Sequence, residues 1–286
     1  LHEFHQRASG ADGTQHALLA GADGQRLEGR PVALDEGGLL VDGKLAEQAN
    51  GAVTARYGDT VVLATACSSQ EPREGVNFLP LTIDYEERLY AAGKIPGGFF
   101  RREGRSNEAT LACRLVDRPL RPLLPKGWRN EIQLVATVLS ADQENDPDIL
   151  AVIGGSAALS ISEIPFDGPI SAVRIGYIND ELILNPTLAQ LESSLLNLVV
   201  VSTKQAVVMV EAGAREASED IVTQAIEFGH QANQDIIKLQ EQLKEVCDKP
   251  KTEAPASKIN PEAVSAISSI INGKLAHALS QPDKSQ

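Results

Sequence analysis

The stretch opened by Asp146-Pro147 and running through Ala151, Ile153, Ala157 and Leu159 reads as a helix that is apolar on nearly every side. Proline's fixed φ and missing N–H suit a first helical turn, so Asp146-Pro147 marks the start. A helix without a polar face has to be covered, and this one belongs in the core. Around it the sequence supplies strands. Residues 52–57 and 60–66 are two runs rich in β-branched side chains about Gly58-Asp59, the signature of a hairpin. Residues 78–83 read as a third strand and residues 131–140 as a further, buried one. Two more hairpins are signalled by residues 170–184, turning at Asn179-Asp180, and 195–210, turning near Thr203-Lys204. A long amphipathic helix from about Ser218 to Val246 closes this part of the chain.

Apolar residues make up 42% of the 286, but aromatics only 4%, so the core is built from Val, Ile, Leu and Ala. That suits strands packed under helices and predicts an α/β or α+β class. The chain divides into an atypical leader at 1–29, a core domain at 30–247, and at 248–286 a linker rich in Pro, Lys and Ala with the beginning of an α-helical domain. Leu1 in place of Met reads as a fragment or a processed product. His2 and His5 are too close for a zinc-binding HExxH motif, and Cys67, Cys113 and Cys247 lack CxxC spacing, so neither a metal cluster nor a disulfide framework is indicated. A reducing compartment follows, and with no run of about 18 apolar residues, no membrane span. The net charge of −13 excludes wholesale attraction to polyanions, so any such site is local.

One local site stands out. Lys94-Ile95-Pro96-Gly97-Gly98-Phe99-Phe100-Arg101-Arg102-Glu103-Gly104-Arg105 sets two aromatics beside paired arginines. Phenyl faces stack on bases of any identity and guanidinium forks grip phosphates. A buried Phe pair with solvated arginines would read alike. Asn107 is the predicted N-cap of a helix carrying Leu111, Leu115 and Val116, and Pro119 should kink or end it. Arg114, Arg118 and Arg121 then share one side as a second basic stripe, unless Arg114 or Arg118 pairs with Asp117 or Glu108. Gly154–Ser160 is read as close packing by small residues inside the apolar helix, with a phosphate loop as the alternative. Asp84, Glu86 and Glu87 read as a solvated strand edge. Asp142, Glu144, Asp146 and Asp148 read as helix N-terminal acids, and Cys113 as a buried small hydrophobe.

Four segments carry a resemblance: Phe78-Leu79-Pro80-Leu81-Thr82, Tyr90-Ala91-Ala92-Gly93-Lys94-Ile95-Pro96-Gly97, Phe99-Phe100-Arg101-Arg102-Glu103-Gly104-Arg105 and Arg114-Leu115-Val116-Asp117-Arg118-Pro119-Leu120-Arg121-Pro122. In order and spacing they resemble successive motifs of the polynucleotide phosphorylases. Asn145-Asp146-Pro147-Asp148-Ile149, Ile164-Pro165-Phe166-Asp167-Gly168-Pro169 and Asn185-Pro186-Thr187 continue it, so it covers about residues 34–246. Ser106 stands where the family usually has proline after the basic loop.

The resemblance implies an α+β, RNase PH-like fold, a mixed sheet with packed helices related to a ribosomal protein domain, followed by a helical segment. It implies 3′-to-5′ phosphorolytic RNA degradation releasing nucleoside diphosphates, with this chain as the first, RNA-gripping core. Inorganic phosphate is the implied co-substrate, and Mg2+ the implied cofactor, held mainly by a second core with no metal ligand in this chain. The implied partners are single-stranded RNA, a homotrimer and RNA degradosome components, in the cytoplasm. Arg101 and Arg102 are implied as supporting catalytic residues, and Phe99, Phe100, Arg101, Arg102, Arg105, Arg114 and Arg118 as RNA-binding. The alternatives are a non-catalytic RNA-binding or ring-building subunit and, on Gly154–Ser160 alone, a small-molecule kinase of the galactokinase fold.

Overall fold

The computed structural model describes residues 30–33, 39–42, 45–94, 105–247, 249–254 and 260–280. They fall into two units, 1–253 and 254–286. The first holds two sheets. One has six strands: β1 (Arg30–Ala33), β2 (Leu39–Asp42), β3 (Gly51–Tyr57), β4 (Thr60–Pro72), β5 (Leu81–Glu87) and β6 (Asn130–Ser140), in the order β1-β2-β3-β4-β6-β5. Only the β5–β6 pairing is parallel among the described strands. The other is antiparallel, ordered β10-β9-β7-β8, from β7 (Ser171–Ile178), β8 (Glu181–Leu184), β9 (Leu196–Ser202) and β10 (Val207–Ala214).

The helices are α1 (Asn107–Leu120), α2 (Pro147–Ile161), α3 (Leu188–Ser193) and α4 (Glu219–Cys247). As its composition requires, α2 is buried at every position from Ile149 to Ile161. It packs on β3, β4 and β6 of one sheet and on β7 of the other, and α4 lies on β7 and β9. Small residues let α2 come this close. A Cβ on Gly154 would sit 3.0 Å from Ala64 Cβ, and one on Gly155 3.0 Å from Leu134 Cδ1. Ser156 Oγ accepts the Ile170 N–H at 2.9 Å. Residues 154–160 are therefore packing surface, and their amides are enclosed within the helix instead of facing a phosphate.

Acidic side chains order the start of α2. Asp146 caps it by accepting the Asp148 N–H, and Arg174 bridges Asp146 and Asp148 at 3.1 and 2.7 Å. Asp142 accepts from the Glu144 and Asn145 N–H groups and the Asn145 side chain. Desolvation pushes its carboxyl upward, but these hydrogen bonds outweigh it and hold the group well below the usual carboxylate range.

Three readings need correction. The third strand is Leu81–Glu87, not 78–83: its pairing with β6 runs on to Glu87, and as an edge strand it can set Asp84 and Glu86 against Arg105 and Arg88. The N-cap of α1 is Ser106, whose extended backbone lets its hydroxyl accept the Ala109 N–H at 2.9 Å, while Asn107 is already helical. Pro119 neither ends nor interrupts α1, which continues to Leu120 and then a 3-10 turn, Arg121–Leu123. In the last turn a proline forfeits one ladder bond, and its fixed φ is compatible with the helix.

Residues 249–253 belong with the first unit. Lys249 Nζ donates to Asn50 O, Lys251 Nζ to Leu159 O and Ser162 O at the end of α2, and the Thr252 N–H to Glu163 O. In the second unit residues 261–279, which read in sequence as one further helix, form two, α5 (Pro261–Ile271) and α6 (Lys274–Leu279), separated at Gly273, whose φ of +77° lies outside the right-handed helical region.

Candidate nucleic-acid interface

The predicted aromatic-basic loop joins β5 to α1. Phe99, Phe100, Arg101 and Arg102 lie outside the described residues; Arg105, Arg114 and Arg118 lie within them. α1 runs back along the outer edge of β5 and occupies it. The Arg105 guanidinium bonds Asp84, Cys113 Sγ accepts the Tyr85 N–H at 3.2 Å, and Arg121 donates to Leu79 O and Leu81 O at 3.2 and 3.1 Å. Cys113 is buried, as expected of a small hydrophobe.

The arginines of the stripe take different roles. Arg121 forks onto Asp117 at 2.5 and 3.0 Å as well as the carbonyls of Leu79 and Leu81 at the start of β5, so it is a structural clamp. Its guanidinium is fully engaged there, unlike that of Arg114. Arg118 meets Glu211 of β10 at 2.6 Å, not Asp117 or Glu108. Arg114 is exposed and makes no hydrogen bond or ion pair with any described residue. One exposed face of α1 thus carries Asn107, Leu111, Arg114 and Arg118 at helical spacing, with Leu111 61% exposed. Tyr90, 70% exposed, stands on the 3-10 turn Leu89–Ala92, where Gly93 at φ +70° closes the turn. Sequence reasoning quoted Tyr90 only within a motif and missed Glu211, which no local signal links to α1.

Toward the other end of β5 the electrostatics reverse. The Glu87 carboxyl is raised, first by burial and then by the charges of Glu108 and Asp146, against an opposing hydrogen bond from Tyr85. The Tyr85 hydroxyl is itself driven far above its ordinary range by burial and then by Glu87. Among the described residues no three His, Cys, Asp or Glu side chains are placed to hold a metal ion. A cavity of about 810 Å3 between α2, α4 and β7–β8 is lined by Ile153, Val173, Ile236 and Leu239 with Arg174 at its polar side, and by none of the expected site residues. No helix among the described residues is long and apolar enough to cross a membrane.

Two family models match in tandem. The 3′ exoribonuclease family, domain 1, matches residues 40–165, and domain 2 of the same family matches residues 168–232. The chain belongs to the 3′ exoribonuclease family. Its two domain models meet between α2 and β7, where the first sheet gives way to the second. Among similar members, the polyribonucleotide nucleotidyltransferase of Dehalococcoides mccartyi is 58% identical over 247 residues, which is 86% of this chain and 34% of that protein. That of Heliobacterium modesticaldum is 56% identical over 243 residues (85% and 34%), and that of Chloroflexus aggregans 49% over 261 (91% and 34%). The chain spans about a third of the length of these relatives. The crystal structure of rice (Oryza sativa) Rrp46, at 18% identity and a TM-score of 0.59, matches 78% of this chain and 99% of its own length and shares its fold.

If the α1 face binds a phosphate backbone, Arg114→Ala should weaken single-stranded RNA binding about fivefold and reduce its salt dependence by about 0.7 in slope, the value for one phosphate contact on a single strand. Anisotropy titration at several salt concentrations reads both. Melting should not move, because Arg114 has no described partner to lose. Unchanged affinity would remove Arg114 from the interface.

Proposed function

We propose that the chain is the RNA-gripping first core of an enzyme that degrades RNA from its 3′ end by phosphorolysis, releasing nucleoside diphosphates. The observation that carries this is the 58% identity over 247 residues to a polyribonucleotide nucleotidyltransferase. The exposed Arg114 and Arg118 on α1, the helix that follows Phe99, Phe100, Arg101 and Arg102 in sequence, agree with it. The relatives' names favour it over a non-catalytic ring-building subunit, and the burial of Gly154–Ser160 leaves nothing for the kinase alternative.

In the reaction a phosphate oxygen attacks the terminal phosphodiester in line. The new P–O bond forms as the P–O3′ bond breaks, and the departing O3′ takes up a proton. Charge accumulates on the reacting oxygens, and preorganised cations nearby stabilise it. Arg101, Arg102, Arg105, Arg114 and Arg118 would neutralise the strand and hold its 3′ end, while Phe99 and Phe100 stack on bases. Mg2+, when bound, would supply Lewis-acid polarisation of a phosphoryl oxygen; the described residues here do not form its site. The same reading takes in a homotrimer, RNA degradosome components as partners and the cytoplasm as location.

The test is an RNA degradation assay on the 286-residue chain and on the full-length gene product. The full-length product should release nucleoside diphosphates only with phosphate and Mg2+, while this chain binds RNA without turnover. Phosphate-independent release of monophosphates would overturn the reading.

A further inference from the structure

We propose that Glu211 is a positioning residue that occupies Arg118 in the free protein and yields it to a phosphate of the bound strand. The inference rests on the RNA-binding reading of the α1 face. Arg118 Nη1 meets Glu211 Oε2 at 2.6 Å, and Nη2 lies 3.5 Å from Val210 O. The partners come from elements 93 residues apart in sequence, α1 and β10, and β10 is an edge of the second sheet.

The carboxylates that hold Arg105, Arg121 and Arg118, the arginines within and flanking α1, differ in how firmly they are fixed. Asp84 is 14% exposed and also accepts from Gln133 at 3.1 Å, so Arg105's partner is fixed from two sides. Asp117 holds Arg121 through both oxygens while the same guanidinium binds two backbone carbonyls. Glu211 is 52% exposed, Arg118 is 46% exposed, and one carboxylate oxygen makes the ion pair. Exposed pairs of this kind are weak, and a phosphate offers guanidinium the same paired anionic oxygens. Of the three, this is the pair a strand can exchange. Arg114, one turn earlier on the same face, is already unpaired among the described residues, so a backbone reaching it is led on to Arg118. Glu211 also holds the Arg118 guanidinium in one place beside β10 and cancels its charge toward polyanions that do not seat there.

The test is anisotropy titration of a labelled oligoadenylate against salt concentration with the 286-residue chain as wild type, E211Q, E211D, R118A and R118A/E211Q. E211Q should bind about threefold to tenfold tighter, with a salt dependence steeper by about 0.7, since one arginine charge is no longer neutralised in the free protein. Glutamine keeps an oxygen for the Arg118 hydrogen bond, so the fold should persist. E211D retains the charge but shortens the reach, and should tighten binding by a smaller factor. In the R118A background E211Q should change affinity less than about twofold.

A purely structural pair predicts E211Q and E211D with wild-type affinity and slope while R118A binds weakly, and that result would overturn the proposal alone. Equal tightening by E211Q with and without Arg118 would also overturn it, because the effect would then be general charge. R118A binding like wild type would instead sink the RNA-binding reading of α1.

Discussion

Gly51→Ala should leave little soluble folded protein. Gly51 opens β3 and is buried beneath α2; a Cβ there would lie 2.1 Å from Ala158 O and 3.0 Å from Ala158 C and Ser162 Cβ. The obstacle is the carbonyl of a helix buried along most of its length, so no side-chain rotation relieves it. Overpacking of well-filled cores costs about 1–3 kcal/mol and occasionally more. A clash with fixed backbone belongs at or beyond the top of that range, against a total stability of about 5–15 kcal/mol. A thermal melt would fall by at least about 6–12 °C at the usual ~2–4 °C per kcal/mol for a domain this size. Gly213→Ala on β10 is the control, because a Cβ there meets nothing within 4 Å, and it should melt like wild type. A Gly51→Ala chain with wild-type melting would contradict the packing of α2 on β3.

Arg174→Met should destabilise the chain by about 3–5 kcal/mol, the usual result of stripping one partner from a buried ion pair. Arg174 is 11% exposed and spans Asp146, Asp148 and Asn197 Oδ1, tying β7 and β9 to the start of α2. Without it the two carboxylates face each other with no cation between them. Burial already pushes the Asp148 carboxyl up to about 6, Arg174 opposes that rise, and Asp146 adds to it. A folded-state value above the unfolded one means the folded chain binds the proton more tightly, so this contribution grows as pH falls. Without Arg174 the Asp148 carboxyl rises further, so the deficit of Arg174→Met should be largest at and above neutrality, narrow as pH falls toward about 6 and level off below it. Urea unfolding at pH 5 and pH 7.5, with Arg174→Met/Asp148→Asn recovering part of the loss, checks both points. A deficit independent of pH would show that Asp148 is not the group exposed by the substitution.

Hairpins and α2 were legible because their signals are local. Asn179 and Asp180 both adopt positive φ, 51° and 64°, as a two-residue turn between strands demands, and residues that tolerate this stand at the turn. The apolar run of α2 needed no tertiary context to be recognised as core. The sequence places the end of β5 too early, because Asp84, Glu86 and Glu87 break the apolar run, and only the pairing with β6, which continues to Glu87, shows that the strand goes on. For the site, sequence identified the arginines but not their states. Whether Arg114, Arg118 or Arg121 is free depends on what α1 packs against. Arg118 finds its carboxylate 93 residues away and Arg105 finds its own 21 residues back. Charge pairing over such separations has no periodicity to read.

The wall between the two sheets has a consequence for how the molecule comes apart. The family models divide the chain between α2 and β7, yet α2 packs on strands of both sheets and on α4. Neither half can bury its own apolar surface if that helix is removed. The two sequence modules should therefore unfold together, and damage to α2 should register on both sides of the boundary at once.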